Sequence, residues 1–172
     1  MQKILHKKSF IILSYLTIFL FVKVEAGLAM EITSSEFKNN QFIPAKFTCQ
    51  GEGINPPLVI ENIPKNTQSL ALIVDDPDAL GGTFVHWIVY DIPVIGRIEQ
   101  NCVPGKQGSN DGGGISYVSP CPPFGVHRYF FKLYALDKVF NLNEGISKTS
   151  LESVMSGHIL DQAELIGLYR KR

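Results

Sequence analysis

Apolar runs separated by proline, glycine and polar residues predict a chain built mainly of strands. Residues 69–74 form a continuous apolar run between turn residues, which is typical of a strand buried on both faces and therefore central in a sheet. Residues 83–92 form a second run. Residues 126–136 form the most convincing strand, because aromatic and apolar side chains follow one another after a proline-rich loop.

Weaker patterns complete the predicted fold. Residues 31–47 predict short strands broken by a turn at 38–41, and residues 58–61 and 163–169 predict two further strands. A helix is predicted at 149–155, with Ser150 as its cap and apolar residues at helical spacing: Leu151, Val154, Met155, Ile159 and Leu160. Because strands outnumber helices and seldom alternate with them, we expect mainly antiparallel β structure with one or two small helices near the C-terminus.

The first 29 residues have the pattern of a signal peptide. Positive charge, an apolar run and small residues follow one another, at Lys3, Lys7 and Lys8, then 10–22, then Ala26, Gly27 and Ala29. Cleavage after Ala26 or after Ala29 fits equally well. The apolar run is shorter than the roughly 20 residues that span a bilayer, so a retained anchor is the less favoured alternative. We therefore expect one domain over residues 30–172, periplasmic or secreted, without a stable membrane span after cleavage.

Charge and cysteine content narrow the function classes. Without residues 1–29 the 172-residue chain keeps 12 of its 16 Lys and Arg and 15 of its 16 Asp and Glu, a formal charge of −3, which argues against nucleic acid as a partner. The three cysteines, Cys49, Cys102 and Cys121, allow one disulfide in an oxidising compartment and leave one thiol over. No CxxC spacing supports a structural zinc site.

Two loops carry the candidate chemistry. Asp75, Asp76 and Asp78 crowd three carboxylates between two strands, either because turns favour aspartate or because a cation, a proton or a hydrogen-bond donor holds them together. Further on, His127 and Arg128 stand where a stiff proline loop becomes a strand, an arrangement that suggests a preformed pocket for an anion. The alternative is a core histidine beside a surface ion pair.

Several ordered motifs together resemble the phosphatidylethanolamine-binding protein family, most closely its bacterial Raf-kinase-inhibitor-like branch. They are DPDAL at 76–80, HW at 86–87, NDGGGISYVSPCPPFGVHRYFF at 110–131 and GHILDQAELIGLY at 157–169, with a CxGE and PPL pattern at 49–58. The resemblance begins at Glu31 and continues to the C-terminus. It does not include the leader.

The resemblance implies antiparallel sheets in a Greek-key arrangement with a small anion pocket at one end. Carried over to this sequence, the implied pocket residues are Asp76, Pro77, Asp78, His86, Pro120, Pro122, Pro123, His127 and Tyr129. In this interpretation the two histidines donate to a phosphate-like group, the aspartates orient or protonate them, and Tyr129 adds a hydroxyl donor. The resemblance also brings Cys49 and Cys121 toward the pocket end, which makes them the preferred disulfide pair.

This sequence departs from the family pattern at three positions near the implied pocket. Leu80 replaces a usual proline, and Ser116 and Ser119 replace usual glycines. We expect Ser119 to narrow the pocket mouth and Leu80 to loosen one wall. The leader is a further departure, since most relatives are cytosolic.

The favoured function is a binding protein without a cofactor, whose ligand is a small phosphorylated or anionic group such as a lipid headgroup. No GxSxG motif is present and Cys121 lies between prolines, so no activated nucleophile is evident. The alternative is a metal-dependent phosphoester hydrolase that uses Asp76, Asp78, His86 and His127. Relatives also include inhibitors, so an extracytoplasmic protease or a host protein is a candidate partner for inhibition or modulation, and a homodimer is left open.

Overall fold

The computed structural model describes residues 27–172, which form two β-sheets, one α-helix and one short 3₁₀ helix at Ala45–Phe47. The α-helix, α1, is Lys148–Met155. The strands are β1 Glu31–Thr33, β2 Gln41–Phe42, β3 Leu58–Glu61, β4 Ser69–Asp76, β5 Phe84–Ile92, β6 Arg97–Ile98, β7 Lys106–Gln107, β8 His127–Leu136 and β9 Ile159–Tyr169. The expected mainly β fold with a small helix near the C-terminus is confirmed.

Strand order places β4 in the middle of the larger sheet, as its apolar run predicts. The smaller sheet has the order β1-β3-β6 and the larger one β2-β9-β8-β4-β5-β7. All pairs are antiparallel except β2 with β9. The exception is a two-residue segment that lies along the last strand, flanked by backbone bonds from Asn40 to Ile166 and from Ile43 to Leu168.

The two faces of β4 are buried in different cores. Leu70, Leu72 and Val74 pack in the main core between the two sheets. Ala71 and Ile73 point the other way, into a second core that Leu151 and Met155 of α1 cover. Since side chains alternate along a strand, an unbroken apolar run is what a strand needs when both of its faces are covered.

The helix differs in detail from the sequence prediction. Its cap is Ser147 rather than Ser150: the Ser147 side chain accepts a hydrogen bond from the Ser150 backbone N–H. It ends at Met155, just before Gly157, whose φ of 81° favours glycine and breaks the helical path. The prediction that Ile159 and Leu160 belong to the helical face is wrong, because they begin β9 and are each 41% exposed.

Residues 1–26 of the predicted signal peptide lie outside the described residues. Within residues 27–172, no helix is both long enough and apolar enough to cross a membrane.

Candidate functional site

A cavity of about 310 Å³ opens where β4 ends and β8 begins, beneath the proline-rich loop. The end of β4 and the first residues of β5 and β8 supply its ionisable side chains, and the loops before β5 and β8 supply most of its walls. Its lining residues are Asp76, Ala79, Leu80, Phe84, His86, Val118, Ser119, Cys121, Pro122, Pro123, His127 and Tyr129. Six of the nine implied pocket residues therefore meet here.

His127 is held by Asp76 at the bottom of this cavity. The Nδ1 atom of His127 lies 2.7 Å from Oδ2 of Asp76, and both side chains are buried. The second oxygen of Asp76 accepts a hydrogen bond from the Asp78 backbone N–H at 2.8 Å. Since Nδ1 of His127 faces the carboxylate, Nε2 is the ring nitrogen that is left without a hydrogen-bond partner among the described residues.

A β-bulge in β5 brings His86 to the same cavity. Val74 pairs with Trp87 and Asp75 pairs with Val85, so His86 is an extra residue opposite β4. Trp87 belongs to the main core and Val85 to the core under α1, while the His86 ring lies 5.1 Å from the Tyr129 ring in the main-core face. The bulge therefore turns two consecutive side chains, His86 and Trp87, to one face of the sheet.

The proline loop fixes the tautomer of His86. Nδ1 lies 2.7 Å from the carbonyl oxygen of Val118, and the Val118 N–H donates to the His86 carbonyl at 2.9 Å. Burial lowers the pKa of His86 below its ordinary value, and the hydrogen bond to Val118 and the negative charge of Asp76 offset only part of that effect. The ring is therefore neutral near pH 7.

Tyr129 contributes a hydroxyl that the protein leaves without a partner. The residue is 1% exposed, and its hydroxyl is sealed from solvent without a hydrogen bond to any described residue. Burial raises the pKa of Tyr129 well above its ordinary value, so the hydroxyl keeps its proton. Buried hydroxyls are normally paired, so the Tyr129 hydroxyl, on a residue that lines the cavity, is a donor that still lacks an acceptor.

Three implied pocket residues lie outside the cavity lining: Pro77, Asp78 and Pro120. Asp78 accepts hydrogen bonds from the backbone N–H, Nε and Nη2 of Arg128, at 3.0, 2.8 and 2.7 Å. These bonds hold the pKa of Asp78 below its ordinary value. The expectation that Asp78 orients or protonates a histidine is not supported, and Arg128 is a surface partner of Asp78 rather than a wall of the pocket.

The proline loop is anchored at both ends. Val118 is hydrogen-bonded to His86. Cys121 forms a disulfide with Cys49, the pair implied by the family resemblance, with Cα atoms 5.4 Å apart. The Cys49 N–H also donates to the carbonyl of Pro120 at 3.1 Å. This loop acts as a rigid wall because prolines restrict it and the crosslink ties it to the segment after the 3₁₀ helix. Cys102 is a free, partly buried cysteine.

Sequence reasoning missed the contributions of Phe84, Ala79 and the Val118 carbonyl. Phe84 and Ala79 adjoin recognised motifs, so proximity to them was an available signal. The role of Val118 is carried by its backbone, which no side-chain motif reveals.

The Asp and His residues do not assemble a metal centre. Asp76 is engaged by His127 and Asp78 by Arg128. Within residues 27–172 no group of three or more His, Cys, Asp or Glu side chains is placed to hold a metal ion. The geometry therefore gives no support to the four-ligand set of the hydrolase hypothesis.

Comparison with known proteins agrees with this architecture. The family model for phosphatidylethanolamine-binding protein matches residues 33–170. The chain belongs to this family. A family relative named a UPF0098 protein, from Pyrococcus horikoshii, is 50% identical over 151 residues, which cover 81% of this chain and 76% of that protein.

Two solved structures of family members have the same fold. The crystal structure of a phosphatidylethanolamine-binding protein homologue from Chlamydia trachomatis is 43% identical, with a TM-score of 0.82, and the match covers 84% of this chain and 99% of that one. Escherichia coli YbcL, described as a member of the mammalian PEBP family, is 26% identical with a TM-score of 0.77, covering 84% and 100%.

Two of the departures from the family pattern lie on the cavity wall. Leu80 is 74% exposed and lines the opening, and Ser119 lines the wall close to Gly53. Ser116 does not line the cavity.

Proposed function

We propose that the cavity binds a phosphate-bearing group and that the protein acts through this binding rather than by catalysis. The observation that carries the proposal is the pair of anchored histidines. Each has Nδ1 fixed by the protein, by Asp76 in one case and by the Val118 carbonyl in the other, and each is left with Nε2 for a ligand. The unpartnered hydroxyl of Tyr129 adds a third polar group at the same wall.

The surroundings of the opening favour a ligand that also has an apolar part, as a phospholipid headgroup does. Leu80 on the rim is 74% exposed, and Phe124 and Val126, which flank the lining residues Pro123 and His127 along the chain, are 63% and 44% exposed. Exposed apolar side chains around a pocket that contains a few polar groups are typical of a binding site for an amphipathic molecule.

Calorimetric titration with phenyl phosphate at pH 6.0 tests the proposal. We expect His127→Ala to weaken binding about tenfold to a hundredfold, because a hydrogen bond to a charged group contributes about 1.5 to 3 kcal/mol. Two substitutions serve as controls: Arg128→Ala removes the neighbouring cation that is paired with Asp78, and Lys65→Ala changes an exposed turn. Both should bind within about threefold of the parent.

Unchanged affinity in His127→Ala, or a loss in Arg128→Ala as large as in His127→Ala, would place the anion elsewhere. Absence of any binding by the parent rejects the proposal.

We further propose that the protein is exported and that cleavage follows Ala29. Gly27, Leu28 and Ala29 are exposed, whereas Met30 is 5% exposed and its backbone nitrogen lies 2.9 Å from Oδ2 of Asp161. Cleavage after Ala29 would turn that nitrogen into an ammonium group beside a carboxylate, a charge-assisted hydrogen bond. Cleavage after Ala26 would leave three exposed residues ahead of the fold.

Amino-terminal sequencing of the protein from a periplasmic or secreted fraction checks this. Met30 as the first residue supports both statements, and Gly27 supports export but contradicts the preferred position. Recovery in the cytosol with Met1 retained refutes export.

A further inference from the structure

The position of the His86 ring decides which hydrogen bonds it can make. A carbonyl oxygen carries no hydrogen, so the 2.7 Å contact with the Val118 oxygen places the ring proton on Nδ1. In the neutral ring, Nε2 is then an acceptor and cannot donate. Nε2 makes no hydrogen bond to a described residue, and His86 lines the cavity. A ligand that reaches His86 therefore meets a lone pair.

The groups that face His86 keep this arrangement in place. The Phe84 ring lies 4.8 Å from the His86 ring at an interplanar angle of 55°, and the Tyr129 ring lies 5.1 Å away in an edge-on arrangement, both measured between ring centroids. Asp76, Asp75 and Asp111 favour a charged ring through their negative charge, yet burial outweighs them and the pKa of His86 lies below its ordinary value. On the side of the proline loop, His86 contacts the Val118 carbonyl. The other cavity histidine, His127, is paired with Asp76.

We propose that His86 accepts a hydrogen bond from the ligand and so selects oxyanions that carry a proton, namely phosphate monoesters in their singly protonated form. This assignment rests on the proposed function and replaces the expectation that both histidines donate. A sulfate monoester has the same tetrahedral shape but no proton near neutral pH, and a phosphodiester likewise has none. Either would place an oxygen lone pair against the Nε2 lone pair, leaving a buried acceptor unpaired.

Phenyl phosphate and phenyl sulfate form a matched pair for the test, because neither has an amine that could donate in place of the P–OH group. At pH 6.0 about half of the phosphate monoester carries the required proton, since its second pKa is about 6. We expect the parent protein to prefer the phosphate by about tenfold to a hundredfold in calorimetry. Methyl phenyl phosphate, a diester, should bind as weakly as the sulfate.

The variant His86→Gln separates the hydrogen bond from the difference in ligand charge. A glutamine amide can turn either its N–H₂ or its oxygen toward the ligand, so the preference should fall to about threefold or less while the charge difference persists. The nitrogen-15 resonance of His86 Nε2 in the phenyl phosphate complex provides a second readout. An unprotonated acceptor nitrogen supports the assignment, and a protonated one overturns it even where His86→Gln fails to fold.

The outcomes distinguish this assignment from the anion pocket itself. Equal binding of phosphate and sulfate by the parent, or an unchanged preference in His86→Gln, overturns the role of His86 while the phosphate pocket stands. Failure of all three probes to bind overturns both. Phosphatidylcholine vesicles with and without phosphatidic acid identify the source of the monoester: selective binding points to a lipid, and its absence alongside phenyl phosphate binding points to a free monoester.

Discussion

Asp75 and Asp76, consecutive residues at the end of β4, lie in two buried polar regions that differ in what they leave open. Asp75 is fully buried on the side of α1, where Lys132 Nζ lies 3.0 Å from its Oδ1 and Lys148 pairs with its Oδ2. Asp76 is 3% exposed on the cavity side, where it pairs with His127. The partners of Asp75 are two lysines, whereas the partner of Asp76 is His127, whose Nε2 has no hydrogen-bond partner among the described residues.

This difference shows that a buried carboxylate alone does not indicate a binding site. Together with Asp78, the acidic loop has three carboxylates, and each one has its own basic partner: the two lysines for Asp75, His127 for Asp76 and Arg128 for Asp78. Separate partners relieve the mutual repulsion that the sequence predicts. The cavity side leaves the histidine Nε2 atoms and the Tyr129 hydroxyl without a hydrogen-bond partner among the described residues.

The largest differences in stability and affinity should come from replacing Asp75 and Asp76, one at a time, by asparagine. Asp75→Asn removes the buried carboxylate shared by Lys132 and Lys148 and leaves Lys148 only a longer contact with Glu152, at 3.9 Å. We expect a loss of about 3 kcal/mol in the free energy of unfolding, with ligand affinity within threefold of the parent. Asp76→Asn should instead weaken phenyl phosphate binding by about tenfold or more, because His127 loses its orienting carboxylate. Urea denaturation and calorimetry on both variants check this. Equal losses of affinity would remove the distinction between the two regions.

Removing the disulfide should affect the cavity side through its wall. The crosslink closes a loop of 72 residues in sequence separation, and the double variant Cys49→Ser with Cys121→Ser should lose roughly 2 to 3 kcal/mol of stability. Phenyl phosphate affinity should fall as well, because the proline loop loses one anchor. Cys102→Ser is the matched control and should change stability by only about 0.5 kcal/mol. Full affinity in the double variant would show that the prolines alone keep the wall in place.

Two buried tyrosines sharpen the comparison further. The Tyr90 hydroxyl, on the α1 side, donates to the Asn143 carbonyl at 2.5 Å, whereas the Tyr129 hydroxyl has no described partner. Tyr90→Phe should cost about 1 kcal/mol of stability and leave affinity unchanged. Tyr129→Phe should leave the ligand-free protein as stable or more stable, while reducing phenyl phosphate affinity by about threefold to tenfold. A loss of stability in Tyr129→Phe without a loss of affinity would contradict a ligand-facing role.

The smallest expected effect is a dependence of stability on pH that originates on the cavity side. Because burial lowers the pKa of folded His86, the unfolded chain takes up a proton first as pH falls below about 6.5. The stabilisation from keeping His86 neutral is therefore complete above that pH and is lost as pH falls toward the folded pKa. Between pH 7.5 and pH 5.5, the free energy of unfolding measured by denaturation should decrease less in His86→Gln than in the parent. In Tyr90→Phe, a variant on the α1 side, it should decrease by as much as in the parent.

Local sequence determined where the long strands lie and which family the chain belongs to. Predicted strands at 69–74, 83–92 and 126–136 correspond to β4, β5 and β8 within two residues at each end. The signals are local, because an apolar run between turn residues reports burial of a segment without specifying its neighbours. The motifs around Asp76, His86 and His127 carry the family resemblance, and that resemblance implied a pocket at one end of the sheet.

Only the tertiary structure decided how individual side chains are used. Asp75, Asp76 and Asp78 are equivalent in the sequence, and their different partners come from α1 and β8, 50 to 73 residues further along the chain. The bulge that turns His86 into the cavity depends on the pairing of β5 with β4, and the tautomer of His86 depends on a backbone carbonyl in the proline loop. Strand pairing and backbone hydrogen bonds between distant segments leave no mark in side-chain patterns, so the chemistry of the site is determined by the assembled sheet.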